Sequence, residues 1–215
     1  MGKKAQKEFN ETVRFLKKQY SGTPKVGVVL GSGLGNFVEE IVIEKEVAYE
    51  DIPHFPVSTV EGHKSKLIFG QLSGKTVVAM AGRFHFYEGY KAQDVVFPIR
   101  VMKLLGVETL LLSNAAGGVN SSYKVGDIMI IRDHISFFTP NPLVGKNIAA
   151  FGPRFPDMSE PYKKHLIQKA KAIAAVHNYD IKEGVYVAVT GPTFETRAEY
   201  KLINTGMTLP EYQFI

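Results

Sequence analysis

Arg83, His85 and Tyr87 stand two apart within Gly82-Arg83-Phe84-His85-Phe86-Tyr87-Glu88-Gly89-Tyr90. In an extended chain that spacing puts all three on one face, with Phe84, Phe86 and Glu88 on the other. A fixed guanidinium, a titratable imidazole and a phenol together suit a phosphate beside a sugar. The same pattern also describes a strand end whose polar side meets water, so this segment alone leaves both readings open.

Three other stretches carry chemistry of a compatible kind. In Gly31-Ser32-Gly33-Leu34-Gly35 the glycines let the backbone turn sharply and approach a ligand, so that amides and the Ser32 hydroxyl hold an anion. It is not the dinucleotide fingerprint, because Asn36 stands where the third spaced glycine belongs, and it lacks the Gly-Lys-Ser/Thr of a P-loop. A glycine turn without a ligand is the competing reading. In Ser113-Asn114-Ala115-Ala116-Gly117-Gly118 small residues follow a strand, where α/β folds place ligands; a tight Asn turn competes. Gly191-Pro192-Thr193-Phe194-Glu195-Thr196 follows the last apolar run and opens a short helix, and a carboxylate such as Glu195 is favoured near a helix N-terminus in any case.

The elements that must position these groups follow from periodicity. Residues 5–20 read as an amphipathic helix through Phe9, Val13, Leu16 and Tyr20. Residues 26–30 read as a buried strand and residues 41–49 as a weaker one. Leu67-Ile68-Phe69 and residues 76–80 form two strands around a turn at Ser73-Gly74. Residues 93–105 are apolar nearly all round and predict one buried helix, with Asp94 near its start, Pro98 in an early turn and Gly106 as its stop. Strands are expected at 109–112, 128–131 and 185–189. The Pro-, Gly- and Asn-rich segment from about 134 to 158 reads as a functional or mobile loop. Ser159 is expected to cap a helix running to His177, with Leu166, Ala170, Ile173 and Ala174 facing inward. Alternating strands and helices, with neither repeat nor linker, predict one α/β domain over residues 1–215, a central mixed β-sheet flanked by helices.

Composition narrows the class. The 215 residues are 45% hydrophobic and 22% charged, an ordinary globular balance. A net charge of +5 suits an anionic substrate, but the scattered lysines and arginines indicate no nucleic-acid partner. The absence of cysteine excludes disulfides, thiolate metal sites and cysteine nucleophiles. With neither an apolar signal core nor a run long enough to span a bilayer, the expectation is a cytoplasmic protein without a membrane partner.

Taken together and in order, the four motifs, with Gly62-His63 and Arg154-Phe155-Pro156-Asp157-Met158-Ser159, resemble the trimeric family of purine nucleoside phosphorylases. The resemblance covers nearly the whole chain to about Glu199. It implies reversible phosphorolysis of purine ribo- or deoxyribonucleosides to free base and pentose 1-phosphate, in a homotrimer, with inorganic phosphate as co-substrate and neither metal nor organic cofactor. Carried over, Ser32, His63, Arg83, His85 and the Ala115 amide bind phosphate. Tyr87 and Phe155 meet the ribose, with Phe155 closing a neighbouring subunit's pocket. Ala116, Gly117, Phe194 and Glu195 line the purine, and His85 and Glu195 are the catalytic pair. Glu195 favours a 6-oxopurine such as guanine or hypoxanthine.

The resemblance fades at the C-terminus. Gly206-Met207-Thr208 and Pro210-Glu211 echo a family motif at the wrong spacing, and the family's last strands, helices and purine-binding Asn have no counterpart before Ile215. The expectation is a truncated or frameshifted form. A phosphate-binding remnant without turnover, a methylthioadenosine phosphorylase and an unrelated dinucleotide-binding protein are the alternatives.

Overall fold

The computed structural model describes residues 2–31, 33–57 and 65–205. Two compact units divide them: residues 1–115 with 141–154, and residues 116–140 with 155–215.

The first unit is built on a five-stranded mixed sheet. Its strands are β1 (Val26–Val29), β2 (Val42–Ala48), β3 (Lys66–Leu72), β4 (Lys75–Ala81) and β5 (Thr109–Leu112), in spatial order β2-β3-β4-β1-β5. β3 and β4 form an antiparallel hairpin whose turn residues Ser73 and Gly74 both have positive φ, the geometry that matches strand twist. β1 runs parallel to β4 on one side and to β5 on the other.

Side-chain alternation sorts this sheet's core into two layers. Val29, Leu67, Phe69, Val78 and Met80 point to one face and pack with Phe9 and Leu16 of α1 (Gly2–Gln19) and with Val101, Met102 and Leu105 of α3 (Phe97–Leu105). Val28, Ile68, Val77 and Ala79 point to the other face, covered by Val38 and Ile41 from the 3-10 segment that follows β1 and its exit. Phe9 stacks on Phe97 at 4.6 Å, and Phe151 meets it edge-on at 5.1 Å. Part of the long segment after residue 134 thus belongs to this core, through a short 3-10 turn at Ala149–Phe151.

The helix expected over 93–105 is interrupted. α2 (Ala92–Val95) and α3 are separated at Val96. Pro98 explains the break: it has no N–H to give the Asp94 carbonyl and its ring crowds that oxygen, so the helix restarts with proline in its first turn. Gly106 stops α3 as expected, at φ 113°.

The second unit pairs β6 (Ile128–Ile135) in parallel with β7 (Ile181–Val187) and adds α4 (Lys164–Val176) and α5 (Arg197–Thr205). Val185, Val187 and Ile203 form its small core with Val119 and Ile135. β6 runs four residues past the expected strand end. α4 departs further from expectation. Ser159 does not cap it, because its amide and hydroxyl both turn back to the Asp157 carboxylate, each at 2.9 Å. The helix instead begins at Lys164, whose amide donates to the Glu160 carboxylate at 3.3 Å. Of its four expected inward residues only Ala174 is buried; Leu166 is half-buried, and Ala170 and Ile173 are exposed.

Among the described residues no helix is long and apolar enough to cross a membrane, and no cluster of His, Cys, Asp or Glu has metal-site geometry.

Candidate functional site

Because β1 is parallel to both neighbours, the C-terminal ends of β4, β1 and β5 come out on one edge of the first unit. The loops leaving that edge carry Arg83 and His85, Gly31, and Ser113 to Ala115. Ser32 and His63, both expected to bind phosphate, lie outside the described residues, as do Met207 and Thr208.

β4 ends at Ala81, and Gly82 follows it with a φ of 107° that turns the chain out of the sheet. The Tyr49 hydroxyl, buried in the core, donates to the Gly82 carbonyl at 2.7 Å and fixes the start of the turn. Burial holds the Tyr49 phenol neutral far above the usual tyrosine range. Phe84, 4% exposed, packs on Tyr49 as an inward anchor, which leaves Arg83 and His85 at the edge.

The period-two pattern holds only to His85. Residues Phe86–Glu88 form a 3-10 turn, with His85 as its extended N-cap and Gly89 closing it at φ 93°. Tyr87 still reaches His85, since the two rings stack at 4.8 Å with 16° between planes. Glu88, assigned to the opposite face by alternation, is carried back by the turn. Its Oε1 accepts the His85 amide at 2.8 Å and faces His85 Nδ1 at 2.9 Å, with the carboxylate side chain only 3% exposed.

These contacts hold the imidazole between a cation and a carboxylate. Arg83 Nε donates to His85 Nε2 at 3.2 Å, so Nε2 carries the lone pair. Nδ1 faces the Glu88 carboxylate at 2.9 Å, within a capping box in which the His85 side chain also meets the Glu88 amide. Both neutral tautomers are compatible with the residue types alone, but Nε2 can donate to a ligand only where the bond from Arg83 is given up. Nε2 is therefore engaged by the Arg83 donor, while the Glu88 carboxylate holds the ring from the Nδ1 side.

Arg83 also spans toward β5, its Nη1 donating to the Ser113 carbonyl at 3.3 Å. Ser113 in turn grips the exit of β1. Its amide and hydroxyl both donate to the Val29 carbonyl at 3.1 Å, and its Oγ accepts the Gly31 amide at 3.0 Å. The Gly31 N–H is thus engaged within the protein and is not one of the free amides expected of the glycine loop. A Cβ on Gly31 would lie 2.5 Å from the Ser113 oxygen and 2.6 Å from Asn114 Cα, so only glycine fits this approach. Asn114 makes no turn of its own; its Nδ2 donates to the Ala115 carbonyl at 3.1 Å.

The remaining expected residues belong to the second unit. Ala116, Gly117 and Phe155 are exposed, Phe155 by 86%. Phe194 and Glu195 line a cleft with Phe138, Val189, Gly191 and Leu202. α5 forms one wall, started by a reciprocal cap. The Thr196 amide donates to the Glu199 carboxylate at 2.6 Å, and the Glu199 amide donates to Thr196 Oγ1 at 3.3 Å. The amide and hydroxyl of Thr196 hold the Glu199 carboxyl below its usual range. The Tyr200 hydroxyl donates to Glu195, and that bond raises the Tyr200 phenol above its usual value.

A family model described as the phosphorylase superfamily matches residues 25–207. Purine nucleoside phosphorylase 1 of Bacillus subtilis is 56% identical, over 92% of this chain and 75% of its own length. The Bos taurus purine nucleoside phosphorylase is 46% identical, over 95% and 75%. The chain belongs to the purine nucleoside phosphorylase family. Among solved structures of that family, isoform 2 from Schistosoma mansoni, in complex with cytosine and ribose-1-phosphate, superposes with a TM-score of 0.86 at 43% identity. That match covers 92% of this chain and 71% of the other. Two groups at this purine nucleoside phosphorylase edge were not singled out by sequence reasoning. Glu88 had a signal in its i, i+3 spacing from an N-cap residue, although histidine lies outside the usual capping set. Ser113 had none, since its partner Gly31 is 82 residues away.

Proposed function

We propose that this chain catalyses the reversible phosphorolysis of purine ribo- and deoxyribonucleosides, with inorganic phosphate as co-substrate and no metal or organic cofactor. The observation that carries the reading is the chain Glu88–His85–Arg83 at the shared exit of three parallel strands, a cation beside an imidazole backed by a buried carboxylate. Phosphate is a weak nucleophile in water, and preorganised donors orient it toward the anomeric carbon. Arg83 neutralises part of its charge, and His85 donates from Nε2 where phosphate takes over the contact from Arg83. The C1′–N9 bond breaks as a phosphate oxygen bonds to C1′, and the purine leaves with the bonding electrons and takes up, through solvent, the proton that hydrogen phosphate loses. Negative charge on phosphate stabilises the cationic sugar meanwhile.

In this reading Ser32, His63 and the Ala115 amide complete the phosphate contacts, and Tyr87 and Phe155 meet the sugar. Ala116, Gly117, Phe194 and Glu195 hold the base. Glu195 accepts N–H donors and so favours 6-oxopurines, inosine and guanosine over adenosine. The working assembly is a homotrimer and its compartment the cytoplasm. The test is incubation of the chain with inosine, with and without phosphate, reading hypoxanthine and ribose 1-phosphate. Phosphate-dependent release of both is expected, with Arg83→Ala raising the phosphate requirement about tenfold or more, the worth of one charge-assisted contact. Equal cleavage without phosphate, or a preference for adenosine, overturns the assignment concerned.

A further inference from the structure

We infer that Ser113 is a positioning residue for phosphate, setting the distance between the glycine loop after β1 and the guanidinium of Arg83. The inference rests on the phosphorolysis reading and adds to it a residue that touches neither substrate. Two contacts carry it. Ser113 Oγ takes the Gly31 amide at 3.0 Å, and the Ser113 carbonyl takes Arg83 Nη1 at 3.3 Å. One residue of β5's exit is therefore bonded to the exits of both β1 and β4. The guanidinium hangs from one of those two points and Gly31, where the glycine loop begins, is the other.

The hydroxyl is separable from the fold. The Val29 carbonyl that it also contacts keeps a partner without it, because the Ser113 amide donates there at 3.1 Å. Removing the hydroxyl therefore leaves one group unsatisfied, the Gly31 N–H, beside a backbone that a Cβ on Gly31 could not approach. The loop then gains freedom at its first residue, while the Arg83 contact, made to a main-chain oxygen, persists. The loss should appear in phosphate use and leave the sheet intact.

Threonine and valine at position 113 have nearly the same shape and differ in the hydroxyl, so the pair isolates it. The experiment titrates inorganic phosphate into the full chain by calorimetry for the parent, Ser113→Thr, Ser113→Val, Ser113→Ala and Arg83→Ala, with a thermal melt of each. Where turnover is present, kcat and the KM for phosphate are read as well. Ser113→Thr should bind phosphate as the parent does. Ser113→Val and Ser113→Ala should bind about three- to tenfold more weakly, with the change in KM and little in kcat. Hydrogen exchange at the Gly31 amide should be slow in the parent and Ser113→Thr, and faster in the other two.

Equal phosphate affinity in all three Ser113 variants overturns the inference while leaving the phosphorolysis reading intact. So does rapid exchange at Gly31 in the parent, or failure of both Ser113→Val and Ser113→Ala to fold, which would make the hydroxyl a determinant of the fold. Absence of phosphate binding by the parent, or an Arg83→Ala titration identical to it, overturns the phosphorolysis reading itself.

Discussion

Glu88→Gln is the sharpest perturbation of this edge, because it keeps shape and removes charge. In the parent one carboxylate oxygen accepts two hydrogens, from the His85 amide at 2.8 Å and from Nδ1 at 2.9 Å. A hydrogen bond to an ionised group contributes about 1.5–3 kcal/mol, against about 0.5–1.5 for a neutral one. Glutamine retains one acceptor oxygen, so the exchange costs roughly 1–2 kcal/mol in holding the His85 ring, or about five- to thirtyfold in phosphate affinity. A second effect follows from direction. Where the glutamine NH2 faces Nδ1, the ring must present a lone pair there and carry its hydrogen on Nε2. That hydrogen would oppose the Arg83 Nε–H, now 3.2 Å away and donating. The assay is phosphate titration alongside 15N spectra of the imidazoles. The parent should show His85 Nε2 as an unprotonated nitrogen without phosphate, and Glu88→Gln a mixture or the reverse tautomer with weaker binding. An unchanged spectrum with affinity within twofold of the parent would refute the reasoning.

Two further substitutions test the scaffold around the edge. Thr12, fully buried on α1, donates its hydroxyl to the Pro53 carbonyl at 2.7 Å, and Thr12→Val leaves that oxygen unpaired. Stability should fall by about 1–2 kcal/mol and the melting temperature by roughly 2–8 °C, read by calorimetry, and no change would show that the contact contributes nothing. Burial, and then the Glu44 carboxylate that accepts its hydroxyl, push the Tyr20 phenol up to about 12. The folded value lies above the unfolded one of about 10, so the stabilisation is complete below about pH 10 and lost as pH rises through about 12. Tyr20→Phe should therefore lose less stability than the parent over that window in urea unfolding, and parallel losses would count against the assignment.

What could be read from the chain, and what could not, divides by the range of the interaction. Residues 26–29 and 75–81 announce themselves as strands because both faces of their sheet are covered, and Ser73-Gly74 supplies the residues its turn needs. The alternation that placed Arg83 with His85 is local and holds. It fails two residues on, where a 3-10 turn with a three-residue period brings Glu88 under His85. Ser159 misled for a similar reason: a serine before a helical pattern is a good cap unless an aspartate two residues earlier takes it first. The interruption at Val96 was present in the sequence as Pro98, whose missing donor counted for less than the apolar run around it. Nothing local marks Ser113, whose role depends on a partner brought alongside by the sheet.

The sheet order accounts for why these groups collect where they do. β3 and β4 are joined by a two-residue turn at the end of the sheet that carries Ser73 and Gly74. At the other end β4 leaves through Gly82, and the chain crosses by α2 and α3 past β1 before re-entering as β5. That crossing makes β1 an interior strand with a parallel neighbour on each side. Its exit is consequently flanked by Arg83 from β4 and Ser113 from β5, and the two meet across it at 3.3 Å. An anion seated there would be approached from three strand ends while the antiparallel strands behind keep them rigid. Substitutions that loosen the crossing, such as those at Val101 or Met102 in the fully buried face of α3, should therefore weaken phosphate use as well as stability. A substitution of equal cost in β2, the strand at the far side of the sheet, should weaken stability alone.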